Sequence, residues 1–450
     1  MTMRFPAKTL GLAVASVIFA FGCGKEAPPP PPPKAEAPAA PPPKPSVTVK
    51  IGHVAPLTGP QAHLGKDNEN GARLAIEEAN AKKMEIGGAM VTFDLLGEDD
   101  QADPKQGTTV AQKLIDAKVN GVIGHLNSGT TIPASKLYAD AGIPQISPSA
   151  TNPKYTQQGF KTAYRVMAND EQQGKVLGGY ATQQLAAKNI AIVDDRTAYG
   201  QGVADEFEKA AVAGGAKIVA REFTNDKATD FAAILTKIKS KKPDLVMYGG
   251  MDAQAGPMAQ QLKKLGIKAK MIFADGGCTT EFHKLAGDAA EGHYCSLPGV
   301  PLEKMPGGTA FKEKYAKRFN VDIQLYAPYS YDAANVMIDA MKRANSVEPA
   351  KVLAELPKTA FDGVTAKITF DEKGDVKDGA ITLYQAKGGK WDPLETIGGA
   401  APAQPAAMDG MAGMGGMAPM GGMSSMGGTA GMGGMSISPP PAAAAPVEKK

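Results

Sequence analysis

In 450 residues, 49 Lys and Arg stand against 46 Asp and Glu, with no block of five like charges. That near balance excludes nucleic acid as the main partner. With the low-complexity ends set aside, about 350 residues remain, too many for one small core and enough for two lobes. No internal segment is long and apolar enough to span a bilayer, which takes about 20 such residues.

The chain opens with Arg4 and Lys8, an apolar run from Leu10 to Phe21, and then Gly22-Cys23. The pattern is that of a secretory signal, so residues 1–22 read as a signal peptide. A small residue directly before Cys23 reads as a lipoprotein cleavage site. A plain signal peptide cut nearby, with Cys23 lost, is the other reading. An acylated Cys23 anchors the mature protein to the membrane without spanning it. Gly24 leaves the choice between inner and outer membrane open. Residues 23–46 are mostly Pro, Ala and Lys. They form no core and read as an extended stalk.

Apolar strands and amphipathic helices then alternate. Val47–Ile51 leads to a helix over 70–81, and Met90–Leu96 to one over 108–117. Gly121–Thr151 reads as strand, hydroxyl-bearing turn, helix, strand and second hydroxyl-bearing turn. Val122 and Ile123 end the first strand. Ile132, Ala134, Leu137 and Tyr138 give the helix, with Pro133 tolerated in its first turn. The turns hold Ser128-Gly129-Thr130-Thr131 and Ser147-Pro148-Ser149-Ala150-Thr151. Loops at the carboxyl ends of parallel strands line the ligand crevice of an open α/β sheet. Free N–H groups at a helix start, joined by hydroxyls, suit a carboxylate. Taken singly, Ser128 and Thr151 read equally well as caps. His125, on the strand before Ser128, reads as a core or supporting residue.

One series of units stops and another starts near Arg165–Asp170. Strands over 189–193, 216–223, 244–248 and 270–274 lead to helices over 202–213, 231–240, 253–265 and 280–286. The rhythm implies parallel sheets with helices on both faces. Cys278 and Cys295 remain once Cys23 is assigned to processing. In an oxidising compartment they read as a disulfide, the other reading being two buried thiols. From residue 399 to 450 the chain is mostly Gly, Ala, Ser, Pro and regularly spaced Met, with Asp409 the one carboxylate among the methionines. It has no cluster to bury and is expected to be a disordered tail. Its thioethers suit Cu(I) or Ag(I), but no His or Cys lies among them, so no metal is assigned.

Seven stretches, in order, resemble the Leu/Ile/Val-binding proteins, periplasmic receptors of branched-chain amino-acid ABC importers. They are Pro56–Ala75, EDDQADPKQG (Glu98–Gly107), VIGHLNSGTTIPAS (Val122–Ser135), ISPSATNP (Ile146–Pro153), AYGQG (Ala198–Gly202), MYGG (Met247–Gly250) and TFDEKGD (Thr369–Asp375). The resemblance covers Val47 to Pro393. It implies a type I periplasmic-binding fold: α/β, with two doubly wound parallel-sheet lobes joined by a three-crossover hinge. Lobe 1 is then residues 47–168 with 299–362, and lobe 2 residues 169–298 with 363–398. The crossovers are expected near Asn169, Leu297-Pro298 and Gly363–Lys367. Ligand lies between lobes that close by a hinge, a behaviour general to periplasmic binding proteins.

The resemblance also implies roles. Ser128 and Thr151 receive an α-carboxylate, while the Ser149 carbonyl and the Thr151 hydroxyl face the ammonium across Ala150. Asp275 aligns with the acid that pairs with the ammonium, although the family carries the longer Glu; on its own, Asp-Gly after a strand is a turn. Tyr199 and Tyr326 match aromatic walls. Leu64 and Met251 stand where a family member has Tyr, which weakens any bias toward Leu, Ile or Val; loop packing and core filling are their plainer readings. Ala102 and Asn127 stand where family members carry a bridging cysteine pair.

Enzyme motifs are missing: G-x-S-x-G, H-E-x-x-H and C-x-x-C do not occur. The five His are scattered without metal-ligand spacing. No enzyme activity, cofactor or metal is expected. Two function classes follow. The first is a lipid-anchored extracytoplasmic receptor that passes an apolar L-amino acid to an ABC permease. The second is a periplasmic amino-acid or amide sensor of the same fold, not coupled to transport.

Overall fold

A computed structural model describes residues 44–399. The expected signal peptide, Cys23, most of the stalk and nearly all of the Met-rich tail lie outside the described residues.

The first series is β1 (Ser46–Ala55), α1 (Ala62–Ala81), β2 (Glu85–Ile86), β3 (Ala89–Asp99), α2 (Pro104–Asp116), β4 (Gly121–Gly124), α3 (Ser128–Asp140), β5 (Gln145–Ser147), α4 (Lys154–Gln157) and β6 (Ala163–Arg165). Its six-stranded sheet has the order β2-β3-β1-β4-β5-β6 and is parallel except where β2 meets β3. β4 and β5 are buried along their whole length, as strands covered on both faces must be.

The second series is α5 (Asp170–Gln183), β7 (Asn189–Asp194), α6 (Ala198–Ala213), β8 (Lys217–Phe223), α7 (Ala232–Lys241), β9 (Leu245–Gly249), α8 (Asp252–Lys264), β10 (Lys270–Phe273), α9 (Thr280–Ala286) and β11 (Tyr294–Pro298). The chain then returns to the first lobe as α10 (Gly308–Phe319), α11 (Ala327–Arg343), α12 (Pro349–Glu355) and the small hairpin of β12 (Phe361–Asp362) and β13 (Lys367–Ile368). It finishes in β14 (Ile381–Lys387), which pairs antiparallel with β11, and β15 (Lys390–Ile397), which pairs antiparallel with β14. The second sheet has seven strands in the order β15-β14-β11-β10-β9-β7-β8. The two-lobed α/β architecture is therefore as expected, with antiparallel additions at one edge of each sheet.

Several helices begin earlier than the apolar spacing implies, because their caps lie upstream of it. Asp103 accepts from the Gln106 N–H and Pro104 opens α2, a favoured helix start. Thr197 caps α6 in the same way. α5, which the alternation does not predict, opens on a reciprocal capping box of Asn169 and Gln172. The alternation read from the sequence does not extend to α10, α11, β14 or β15.

The third crossover comes later than Gly363–Lys367. Residues 363–376 stay with lobe 1: the Arg165 N–H donates to the Gly374 carbonyl at 2.9 Å, and Phe370 packs on Tyr164 with ring centroids 4.9 Å apart. The chain changes lobe just before β14, where the Gly299 N–H donates to the Ala380 carbonyl at 2.7 Å. The reason is electrostatic. Arg165 is fully buried on β6, and Asp375 is the counter-charge that a buried guanidinium requires. In the second lobe Cys278 and Cys295 are bonded, with Cα atoms 5.6 Å apart.

Candidate functional site

β4 and β5 end at the two hydroxyl-bearing turns. Ser128 begins α3 and is almost fully buried; its Oγ accepts from the Asn152 N–H at 3.2 Å. Its own proton is free to be donated. The Ser149 Oγ accepts from Asn68 Nδ2 at 3.1 Å, and Asn68 is in turn held by His53 Nε2 at 3.0 Å. The Thr151 Oγ1 is buried without a hydrogen-bond partner.

The Thr151 turn is held from behind. The Arg165 Nη1 donates to the carbonyls of Ala150 at 2.8 Å and Asn152 at 3.0 Å, the two residues that flank Thr151. Arg165 is fixed by Asp375 through Nε at 2.8 Å and Nη2 at 2.6 Å. The carbonyls therefore point away from the cleft, toward the guanidinium. His125 supports the Ser128 turn: its ring meets Asp100 and Tyr138, and its carbonyl accepts from Thr131 and Ser147 hydroxyls.

Across the cleft, Asp275 follows β10 and is 1% exposed. It accepts from Gln173 Nε2 at 2.9 Å, the Tyr199 hydroxyl at 3.1 Å and the Tyr326 hydroxyl at 2.7 Å. Gln173 is itself oriented by the Ser296 hydroxyl at 3.0 Å. The Gly276 N–H donates to the Tyr199 hydroxyl at 2.8 Å. A side chain at Gly276 would run into Met251 and Tyr199, so the Asp-Gly pair gives these groups the room to meet. Burial raises the Asp275 carboxyl above its ordinary range, and the three donors pull it back.

Sequence reasoning misses Asp170, the first residue of α5. It is fully buried, and neither carboxylate oxygen has a partner. Burial pushes its carboxyl well above the ordinary range, and the nearby charge of Asp275 adds to the push. The Thr151 hydroxyl is close enough to ease that charge but makes no hydrogen bond of ordinary geometry. Asp170 thus lies between the Thr151 turn and Asp275. An acid in the first turn of a helix is ordinarily a dipole partner, so the sequence gives no sign of it. Arg165, Asn68 and Gln173 are missed as well. Asp375 stands out in the sequence only as the end of a landmark.

The lobes are closed on one another. Tyr326 reaches Asp275 from lobe 1. The Asn152 Nδ2 donates to the Ala198 carbonyl at 2.5 Å, and Thr280 to Gln324 at 3.1 Å. A side chain at Gly202 would strike Asn152, which is why AYGQG ends in glycine. Leu64, Met251, Tyr199 and Tyr326 all belong to the main apolar cluster. At the cleft mouth a cavity of about 430 Å³ is lined by Gly59, Pro60, His63, Asp252, Glu281 and other residues. A second cavity, of about 370 Å³, lies in lobe 1 between α1, α11 and residues 361–364, away from these groups. Among the described residues no cluster of three or more His, Cys, Asp or Glu side chains suits a metal ion.

Residues 48–390 match a family model described as periplasmic binding protein. The chain is 37% identical over 345 residues to the Leu/Ile/Val-binding protein homolog 1 of Brucella abortus, covering 76% of this chain and 90% of that one. It is 33% identical over 338 residues to the leucine-, isoleucine-, valine-, threonine- and alanine-binding protein of Pseudomonas aeruginosa, covering 75% and 90%. Among solved structures, it is similar to the branched-chain amino acid transporter substrate-binding protein LivJ of Streptococcus pneumoniae in complex with isoleucine. That match has 28% identity and a TM-score of 0.71, and covers 78% of this chain and all of that one.

Proposed function

Because the chain belongs to the periplasmic binding protein family and has Leu/Ile/Val-binding relatives, we propose that it is an extracytoplasmic receptor for an apolar L-α-amino acid, which it delivers to an ABC permease. The observation that carries this reading is the pairing of opposite chemistries across the closed cleft. Ser128, at the start of α3, and Thr151, in the turn after β5, hold spare hydroxyl protons, which suits a carboxylate. Asp275 lies beyond them with Asp170, whose two oxygens have no partner, and a buried carboxylate without a partner is unfavourable until a counter-charge arrives. A zwitterion spanning the two satisfies both.

The ammonium role expected of Asp275 is shared in this reading with Asp170, whose two oxygens are unclaimed. The Ser149 and Ala150 backbone lines the turn, with the Ala150 carbonyl turned toward Arg165. Leu64, Met251, Tyr199 and Tyr326 form an apolar wall around the side chain, as expected of a small-molecule pocket. Titration calorimetry with each free amino acid tests this, on protein unfolded and refolded to strip carried-over ligand. Binding of leucine, isoleucine or valine is expected, and no heat or thermal shift with any amino acid would sink the reading.

Cys23 is proposed to carry the lipid anchor. Metabolic labelling with a fatty acid should mark the wild type and not Cys23→Ala.

A further inference from the structure

We propose that His63 and Asp252 form a latch across the cleft mouth that ties ligand retention to pH. The proposal rests on the reading of the molecule as a receptor whose lobes close on a ligand. His63 sits on α1 of lobe 1, one residue before the wall residue Leu64. Asp252 begins α8 of lobe 2, one residue after the wall residue Met251. His63 Nε2 and Asp252 Oδ2 are 2.8 Å apart. Asp252 is fully buried. Its Oδ2 also accepts from the Thr279 hydroxyl at 2.6 Å, and its Oδ1 has no partner. Lobe 2 therefore holds a buried carboxylate with one donor of its own, and on closing lobe 1 adds a second donor at the same oxygen, Oδ2. The His63 side chain keeps 23% of its surface exposed, beside the cavity at the cleft mouth. It stays in proton exchange with the medium while the lobes are shut.

Two acids face the imidazole, Asp252 from α8 and Glu281 from α9; Glu281 is itself paired with Lys284 at 2.9 Å. Burial pulls the imidazole down. The Asp252 hydrogen bond and the charges of Asp252 and Glu281 outweigh it, so the group titrates above the ordinary histidine value. Because the partners sit on different lobes, opening separates them and returns His63 toward its ordinary pKa. Closure therefore takes up a proton. The latch favours the closed state below the ordinary pKa and is lost as pH rises through the raised one.

Asp170 works against this in acid, since its protonation removes a charge from the cleft. The latch must therefore be read as a ratio. His63→Gln keeps a hydrogen-bond donor of similar size but does not titrate. L-leucine affinity is measured by calorimetry for both proteins at about pH 5.5 and about pH 8.5, on either side of the imidazole range. The ratio of wild-type to His63→Gln affinity is expected to be about fivefold larger in acid, the scale of a part-exposed ion pair. Small-angle scattering of the ligand-free proteins at the same pH values follows closure without ligand. Acid should compact the wild type and not the variant. If neither the affinity ratio nor the compaction changes with pH, the latch is overturned. If no amino acid binds but acid still compacts the wild type alone, the receptor reading fails and the latch stands.

Discussion

Asp170 and Asp275 are buried carboxylates of one cleft, and the charge of Asp275 pushes the Asp170 carboxyl up, yet they are treated in opposite ways. Asp275 accepts from an amide and two phenols. Asp170, at the hinge end of α5, has no partner at either oxygen. A carboxylate wrapped in donors is part of the scaffold. A carboxylate left bare in the interior opposes folding and persists only where another requirement outweighs it. The difference places the more exacting demand for a ligand charge at Asp170, the residue that resembles an ordinary helix-start acid.

The sharpest way to break this comparison is Asp170→Asn. L-Leucine affinity should fall by on the order of a hundredfold, about 3 kcal/mol, as one partner of a desolvated charge pair is lost. The melting temperature of the ligand-free protein should stay level or rise, because a buried charge has been removed. Calorimetry and thermal melts read the two effects separately, and unchanged affinity would reduce Asp170 to a helix-end acid.

Asp275→Asn should act more mildly on affinity, by about 2 kcal/mol or thirtyfold. It should also lower the ligand-free melting temperature, since an amide nitrogen then faces donors that had a carboxylate. If Asp275→Asn raises that temperature as Asp170→Asn does, the distinction between scaffold and receptor carboxylate collapses.

Tyr326→Phe and Tyr199→Phe each remove one phenol from Asp275, a bond to a charged group worth about 1.5 kcal/mol. Only Tyr326 crosses from lobe 1. Its loss should leave the liganded protein measurably more open by small-angle scattering, whereas Tyr199→Phe should leave closure intact.

The smallest effect is on pH. The Asp170 carboxyl titrates well above its unfolded value, so folding takes up a proton. The ligand-free protein should gain stability as pH falls from neutral toward the unfolded aspartate pKa. That gain should be missing in Asp170→Asn. Denaturant melts across the range check the sign.

Much of this cleft is legible in the amino-acid sequence. Val122 and Ile123 end a strand buried on both faces, so their turn has to open at the crevice, and Ser128 and Thr151 stand there. Tyr199, Tyr326 and Asp275 do meet. What stays hidden depends on partners remote in the chain. Arg165 and Asp375 are 210 residues apart. Local spacing cannot pair them, and without that pair the third crossover falls too early. Asp170 is obscured by a strong local explanation, the capping box at Asn169 and Gln172. Leu64 and Met251 are visible as departures from a family pattern, and both are buried in the shared apolar cluster.

Asp67 gives Tyr326 a fixed starting point. From α1 its carboxylate accepts from the N–H groups of Gln324, Leu325, Tyr326 and Ala327, at 2.7 to 3.0 Å. The backbone that carries the phenol is thus pinned within lobe 1 whether or not a ligand is present. Its reach toward Asp275 is set in advance, like a bolt of fixed length. A side chain that holds the lobes a little apart leaves the bolt short of its socket, while one that fits lets it engage. Entry into the open cleft does not sense this difference, but escape from the closed one does. Discrimination among apolar amino acids should then appear in residence time more than in association rate, and stopped-flow dissociation of leucine against phenylalanine is where to look for it.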